Sequence, residues 1–292
     1  MGIRQRLTEQ FEQLSPQLKT AAVYVSRHPE EVVNQSLRKV AEASGVSPPT
    51  FSRLARALGL DNYEAMRALC LETVSEQQRT FGEKARALQQ YEQGNSSQHK
   101  GTFVVAQAAS AIDNIQHMVE RLEPDKLSAA ADLLVAAPAV YIAGGQSSRP
   151  FADYIGYMSS MAFSHWEVLD SGDKPIGVTL NRLNTSGVLV VISMRPFSRR
   201  VVELAELAVQ AGLQIIVLTD CDVAPLSKHT EFVFNAATDS PQFFSSYAAT
   251  LVLLESLMAM VIRRGGEDVQ KRIEQVEALN HETGEYCWDS AS

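Results

Sequence analysis

The stretch "GVSPPTFSRLARALG", residues 45–59, decides how the first part of the chain is read. Adjacent prolines break a helix interior but are tolerated in its first turn, where the missing N–H groups have no intrahelical partner. From Thr50 onward Phe51, Leu54 and Leu58 recur at helical spacing, and Gly59 closes the run. Ser47 is therefore expected to N-cap a helix, with Pro48 at its first position and Pro49 still in the first turn. Just upstream, Ser36 caps "LRKVAEAS" and Gly45 turns the chain. Two helices joined by a short glycine turn, the second with Arg53 and Arg56 facing outward, make a helix-turn-helix arrangement. The same pattern suits a plain three-helix bundle with solvated arginines, and spacing alone does not separate the two.

Helical patterns continue on both sides. "RQRLTEQFEQL" leads into "LSPQLKTAAVYVSRHP", where Ser15 and Pro16 start a helix and the His28–Pro29 step ends it. A short helix follows in "PEEVVNQ", and "NYEAMRALCLETVSEQQ" completes an all-α domain over residues 1–78. Val40, Ala41, Val46, Phe51, Leu54, Leu58 and Leu60 form its candidate core. Residues 79–101, ending "QYEQGNSSQHKG", are polar with glycine and serine close together, and read as a linker with room for an exposed helical turn or two ahead of it.

Beyond residue 102 the pattern becomes α/β. Short apolar runs "AVYIA" (139–143), "GVLVVIS" (187–193), "LQIIVLT" (213–219) and "EFVFN" (231–235) alternate with helical segments, the last being "PQFFSSYAATLVLLESLMAMVIRR" (241–264), with "HWEVLD" (165–170) as an additional strand. Unalternating apolar strands spaced by helices predict a doubly wound parallel sheet covered on both faces, over residues 102–280, with a polar tail at 281–292.

Composition narrows the functional classes. A chain of 292 residues, 45% hydrophobic, can hold about two domains. Cys70, Cys221 and Cys287 have no C-x-x-C spacing, so neither a disulfide framework nor a zinc site is expected, and a cytoplasmic location fits. The longest apolar stretch, 248–262, is short for a bilayer span and contains Glu255, so no membrane segment is expected. Residues 1–78 hold nine of the 26 Lys+Arg and nine of the 34 Asp+Glu, so the whole net charge of −8 lies in the rest of the chain. A neutral first module can still present a local basic face.

Ligands of such sheets sit beyond the carboxyl ends of the strands. Two of these ends are rich in donors. "YIAGGQSSRP" places Gly144, Gly145, Gln146, Ser147 and Ser148 between a strand and a helix, and "VISMRPFSRR" does the same with Ser193, Arg195, Ser198 and Arg199. Backbone N–H groups and hydroxyls at a helix start make an anion seat, although glycine and serine in these positions also simply build turns. His28, His99, His117, His165, His229 and His281 lack ligand spacing, and no catalytic residue, metal site or cofactor is expected.

Residues 14–67, with their L-S-P, H-P-E-E-V, A-x-x-x-G-V-S and T-x-x-R-L…L-G elements, resemble the DNA-binding domain of bacterial RpiR-type (MurR/RpiR) transcriptional regulators. The second module resembles a SIS (sugar isomerase) domain, that family's effector-binding partner. The resemblance implies that the 48–58 helix lies in a DNA major groove. Ser47, Pro49, Thr50 and Ser52 would face base edges, Arg53 guanine or phosphate, and Arg56, Arg38 and Lys39 the backbone. The family's glycine-x-glycine-x-serine loop falls on Ala143, Gly145 and Ser147, and its serine-x-serine-glycine-x-threonine loop on Ser193, Arg195, Pro196 and Ser198. Proline offers no N–H and arginine brings a planar cationic fork where a hydroxyl is usual. The implied protein is a homodimeric or homotetrameric regulator of operator DNA, controlled by a small anionic metabolite, a sugar phosphate or another carbohydrate derivative. The alternatives are a SIS-type sugar-phosphate isomerase or a non-catalytic sugar-phosphate-binding protein.

Overall fold

The computed structural model describes residues 3–78, 80–94, 102–169, 174–221 and 224–285. The chain divides after Gly94 into two compact units.

The first unit is all helical: α1 (Ile3–Gln10), α2 (Pro16–Arg27), α3 (Pro29–Asn34), α4 (Leu37–Ser44), α5 (Pro48–Ala57), α6 (Tyr63–Gln78) and α7 (Phe81–Gly94), with a 3-10 turn at Phe11–Gln13. Proline opens α2, α3 and α5, as its fixed φ favours. Between α4 and α5, Gly45 adopts a left-handed φ of 69°, which a side chain would strain. Helix α5 packs on α2, α4 and α6. Its inner stripe is Thr50, Phe51, Leu54 and Ala55, each fully buried. Phe51 meets Tyr24 and Tyr63 edge-on, at centroid distances of 6.5 and 6.2 Å, while Ala21 and Ala22 let α2 come close.

Helix α7 lies inside the stretch read as linker. "EKARALQQ" consists of strong helix formers, and Thr80 and Glu83 form a capping box. The Thr80 N–H donates to Glu83 Oε2 at 2.8 Å, and the Glu83 N–H to Thr80 Oγ1 at 3.3 Å. Residues 79 and 95–101 of the expected linker lie outside the described residues, as do 286–292 of the expected tail.

The second unit runs α8 (Thr102–Arg121), α9 (Pro124–Ala136), β1 (Val140–Gly144), α10 (Arg149–Ala162), β2 (Trp166–Val168), α11 (Ile176–Leu180), β3 (Val188–Ile192), α12 (Arg199–Gln210), β4 (Gln214–Thr219), β5 (Val233–Asn235), α13 (Ala248–Arg264) and α14 (Gly266–Glu282). The five strands form one parallel sheet in the order β2-β1-β3-β4-β5. Alternate strand residues feed two cores. Val140, Ile142, Val190, Ile192 and Leu218 pack with α9, α10 and α13, whereas Tyr141, Leu189, Val191 and Val217 pack with α12. Every residue of β1 and β3 is buried, so the strands read as unbroken apolar runs. The chain order reverses between β1 and β3, a topological switch point whose carboxyl side is the expected place for a ligand. Helix α13 starts later than the helical pattern from 241 suggested, because the Ser246 N–H is bonded to the Thr238 carbonyl at 3.0 Å.

Candidate DNA interface and effector site

Helix α5 presents Pro49, Arg53 and Arg56 to solvent, with Ser47 exposed at its cap and Ser52 half-buried. Arg38 and Lys39 are exposed on the preceding α4. Thr50 corrects the sequence reading. It is fully buried, because positions 50, 51, 54 and 55 share the inner face. Its Oγ1 lies 3.0 Å from Ser47 Oγ and accepts from Arg53 Nη2 at 3.3 Å. Thr50 thus holds its two neighbours instead of reading bases itself.

The start of α5 has little backbone to offer a phosphate. Its first two residues, Pro48 and Pro49, carry no N–H, and the Thr50 N–H is spent on the Ser47 carbonyl at 2.9 Å. Contacts from this end therefore come from side chains. Two other arginines of the unit are committed to its own carbonyls: Arg6 Nη1 donates to Leu58 at 3.0 Å, and Arg67 Nη2 to Val33 at 2.7 Å. Cys70 is buried in the same core, which pushes its thiol up to about 12 and removes it from thiolate chemistry.

In the second unit the loops after β1 and β3 touch. A Cβ on Gly145 would come 2.6 Å from Ser198 Oγ and 2.8 Å from Val201 Cγ2, so only glycine permits this approach. Gln146 is exposed with φ of 52°, a left-handed conformation unusual for a side-chain residue, and one that recurs at functional turns. Ser147 Oγ lies 2.6 Å from Tyr247 Oη, tying the first loop to the residue that precedes α13. Ser148 is buried as the cap of α10, and Ser198 is half-buried as the cap of α12.

Ser193 is 6% exposed at the end of β3, and its Oγ has no hydrogen-bond partner among the described residues. Buried Thr219 Oγ1, at the end of neighbouring β4, is likewise unpartnered. Arg195 reaches across to Asp220, the residue after β4. Its N–H donates to Asp220 Oδ1 at 3.1 Å and its Nε to Oδ2 at 3.3 Å. The cluster thus unites Gly145, Gln146, Ser147, Ser193, Arg195 and Ser198 from two strand ends and adds three residues the sequence reading left out: Asp220, Tyr247 and Thr238, whose Oγ1 donates to Asp220 Oδ2 at 3.2 Å. Asp220 was visible only as one acidic residue in a turn, and the β3–β4 pairing is what brings it to Arg195. Burial, helped by the Asp220 charge and opposed by the Ser147 hydrogen bond, raises the Tyr247 phenol above its ordinary value. One cavity of 390 Å³ is lined by Phe197, Arg199 and Pro225, and another of 350 Å³ lies beside β5.

Residues 1–77 match the model for a helix-turn-helix domain, rpiR family, and residues 133–260 match the SIS domain model. An uncharacterized HTH-type transcriptional regulator of Clostridium perfringens is 24% identical over 289 residues, covering 96% of this chain and 99% of its own. The HTH-type transcriptional regulator HexR of Pseudomonas aeruginosa is 21% identical, covering 94% of each chain. In fold, the chain is similar to the sugar isomerase domain of an RpiR transcription factor from Sphaerobacter thermophilus. That match has a TM-score of 0.57 at 22% identity, over 60% of this chain and 97% of that one. It is also similar to the Vibrio vulnificus NanR protein complexed with ManNAc-6P, with a TM-score of 0.55 at 17% identity, over 97% and 99% of the two chains.

Proposed function

Because the chain belongs to the RpiR-type transcriptional regulators, with their helix-turn-helix domain ahead of a SIS domain, we propose that α5 reads operator DNA and that the strand-end cluster binds the controlling metabolite. The observation that carries the first half is the sidedness of α5. One face is sealed into the core by Phe51 and Leu54, while Pro49, Arg53 and Arg56 face solvent. Arg53, steadied by Thr50, is the side chain best placed for a guanine edge or a phosphate. Ser47, Pro49 and Ser52 lie beside it, and Arg56, Arg38 and Lys39 supply backbone contacts.

At the second site, Gly145, Gln146, Ser147, Ser148, Ser193, Arg195 and Ser198 form the effector seat. Hydroxyls, loop N–H groups and a guanidinium favour an anion. That the structurally similar Vibrio vulnificus protein is complexed with ManNAc-6P supports a sugar phosphate as the anion. The site binds and does not catalyse: Tyr247 keeps its proton, and Asp220 is engaged by Arg195. The regulator works in the cytoplasm as a homo-oligomer. A neutral reading domain needs two copies to gather enough phosphate contacts, and α8 exposes Val105, Ile112 and Val119, seven residues apart and each more than half exposed.

The test is selection of bound genomic fragments, followed by titration of the selected operator. Arg53→Ala is expected to weaken operator binding by about 1–3 kcal/mol with oligomeric state unchanged. Unchanged affinity on every selected fragment would overturn the assignment of α5.

A further inference from the structure

The guanidinium of the effector seat already holds an anion of the chain's own. The Asp220 side chain is 4% exposed, whereas that of Arg195 is 44% exposed. The Asp220 carboxylate takes three donors: the Arg195 N–H at 3.1 Å, Arg195 Nε at 3.3 Å and Thr238 Oγ1 at 3.2 Å. Arg195 Nη2 also reaches the Asp220 carbonyl at 3.3 Å. A backbone N–H, a guanidinium and a hydroxyl are the donor types that seat a phosphate or carboxylate. Beside them, the buried hydroxyls of Ser193 and Thr219 are unpartnered among the described residues. The donors that a ligand would use are thus divided between those taken by Asp220 and those left over.

Resting on the assignment of this cluster as the effector site, we propose that Asp220 is a resident counter-anion that competes with the effector for Arg195 and thereby sets which anions the seat accepts. An incoming group must displace the carboxylate from one side of the guanidinium fork while standing close to its negative charge. A carboxylate ligand brings no more charge than Asp220 itself and gains little by the exchange. A phosphate group, carrying about −1.5 to −2 at neutral pH, is drawn more strongly to Arg195 and repelled in the same proportion by Asp220. Asp220 therefore raises the threshold for every anion, and raises it most for the most highly charged.

The experiment uses the full-length protein with inorganic phosphate and acetate as probes, at pH 7.5 and constant ionic strength, with affinities from ligand-dependent melting shifts and calorimetry. The wild-type protein is expected to prefer phosphate to acetate by about tenfold or more. Removing a charge a few ångströms from the seat, as in Asp220→Asn, is expected to tighten acetate by about tenfold and phosphate by more, so that the preference widens. Arg195→Ala abolishes both, and adding Asp220→Asn to it restores neither. Asp220→Ser removes the same charge with a smaller side chain, and either folded variant decides. The proposal is overturned if the charge-removing variants leave the phosphate-to-acetate ratio unchanged, lower it or weaken phosphate. It is equally overturned if neither variant retains a cooperative melt, since Asp220 would then be a structural clamp. If phosphate binding ignores Arg195→Ala, the effector-site assignment itself fails; if it depends on Arg195 but not on Asp220, only the present inference does.

Discussion

Thr50 and Asp220 mark where single residues hide their roles. Thr50 has a polar label, and a reading by residue type places it with the exposed hydroxyls of α5. Yet it sits on the stripe with Phe51, Leu54 and Ala55, and its hydroxyl is satisfied locally by Ser47 and Arg53. Asp220 is legible as a turn residue and meets Arg195 only when β3 and β4 lie side by side. Gly145, by contrast, was identifiable from its place in a strand-to-helix loop, and the structure supplies the steric reason. Gly145→Ala drives a Cβ to within 2.6 Å of Ser198 Oγ and 2.8 Å of Val201 Cγ2. It is expected to cost about 1–3 kcal/mol of stability in urea unfolding, as overpacking does, and to reduce phosphate binding by parting the two loops. An alanine variant as stable as its parent would show that the loops separate freely.

At the scale of elements, the five strands were legible because helices cover both sheet faces, which makes each strand continuously apolar and distinct from its flanks. The proline starts of α2, α3 and α5 were equally readable. Helix α7 was obscured by its polarity: with no broad apolar stripe, it is marked by propensity and by the Thr80–Glu83 box alone. The start of α13 went the other way, since aromatic residues at 243–244 extend the apolar pattern past the point where Ser246 bonds to Thr238. Helix α5 carries the proposed DNA-reading face, and Leu54 is its fully buried anchor. Leu54→Ala is expected to lower stability by about 2–5 kcal/mol in denaturant unfolding. At temperatures where the first unit remains folded, operator affinity should change far less than with Arg53→Ala. The opposite ranking would mean that packing, not the exposed face, governs DNA binding.

For the whole molecule, two units were legible from the change of pattern near residue 102, whereas the stripe on α8 became meaningful only with exposures in hand. Val105, Ile112 and Val119 repeat every seven residues, a spacing that keeps one helical face toward a partner. If α8 forms the proposed self-association contact, Ile112→Asp is expected to disfavour it by about 3 kcal/mol or more, because it places an unpaired charge there. Sedimentation velocity would show smaller species, and operator affinity would fall with them. An unaltered assembly would place the contact elsewhere.

The tether between Ser147 and Tyr247 gives the sensing unit a lever. Tyr247 immediately precedes α13, the helix that packs against α8, α9, α10 and α14. On the proposed effector site, a ligand oxygen that captured the serine hydroxyl would release the phenol, and the helix behind it would lose a fixed point at its entry. The net worth of one such bond, about 1 kcal/mol, is comparable with the few kilocalories by which an effector biases a regulator. Chemical occupancy in a loop can thereby be converted into mechanical slack along the main strut of the unit.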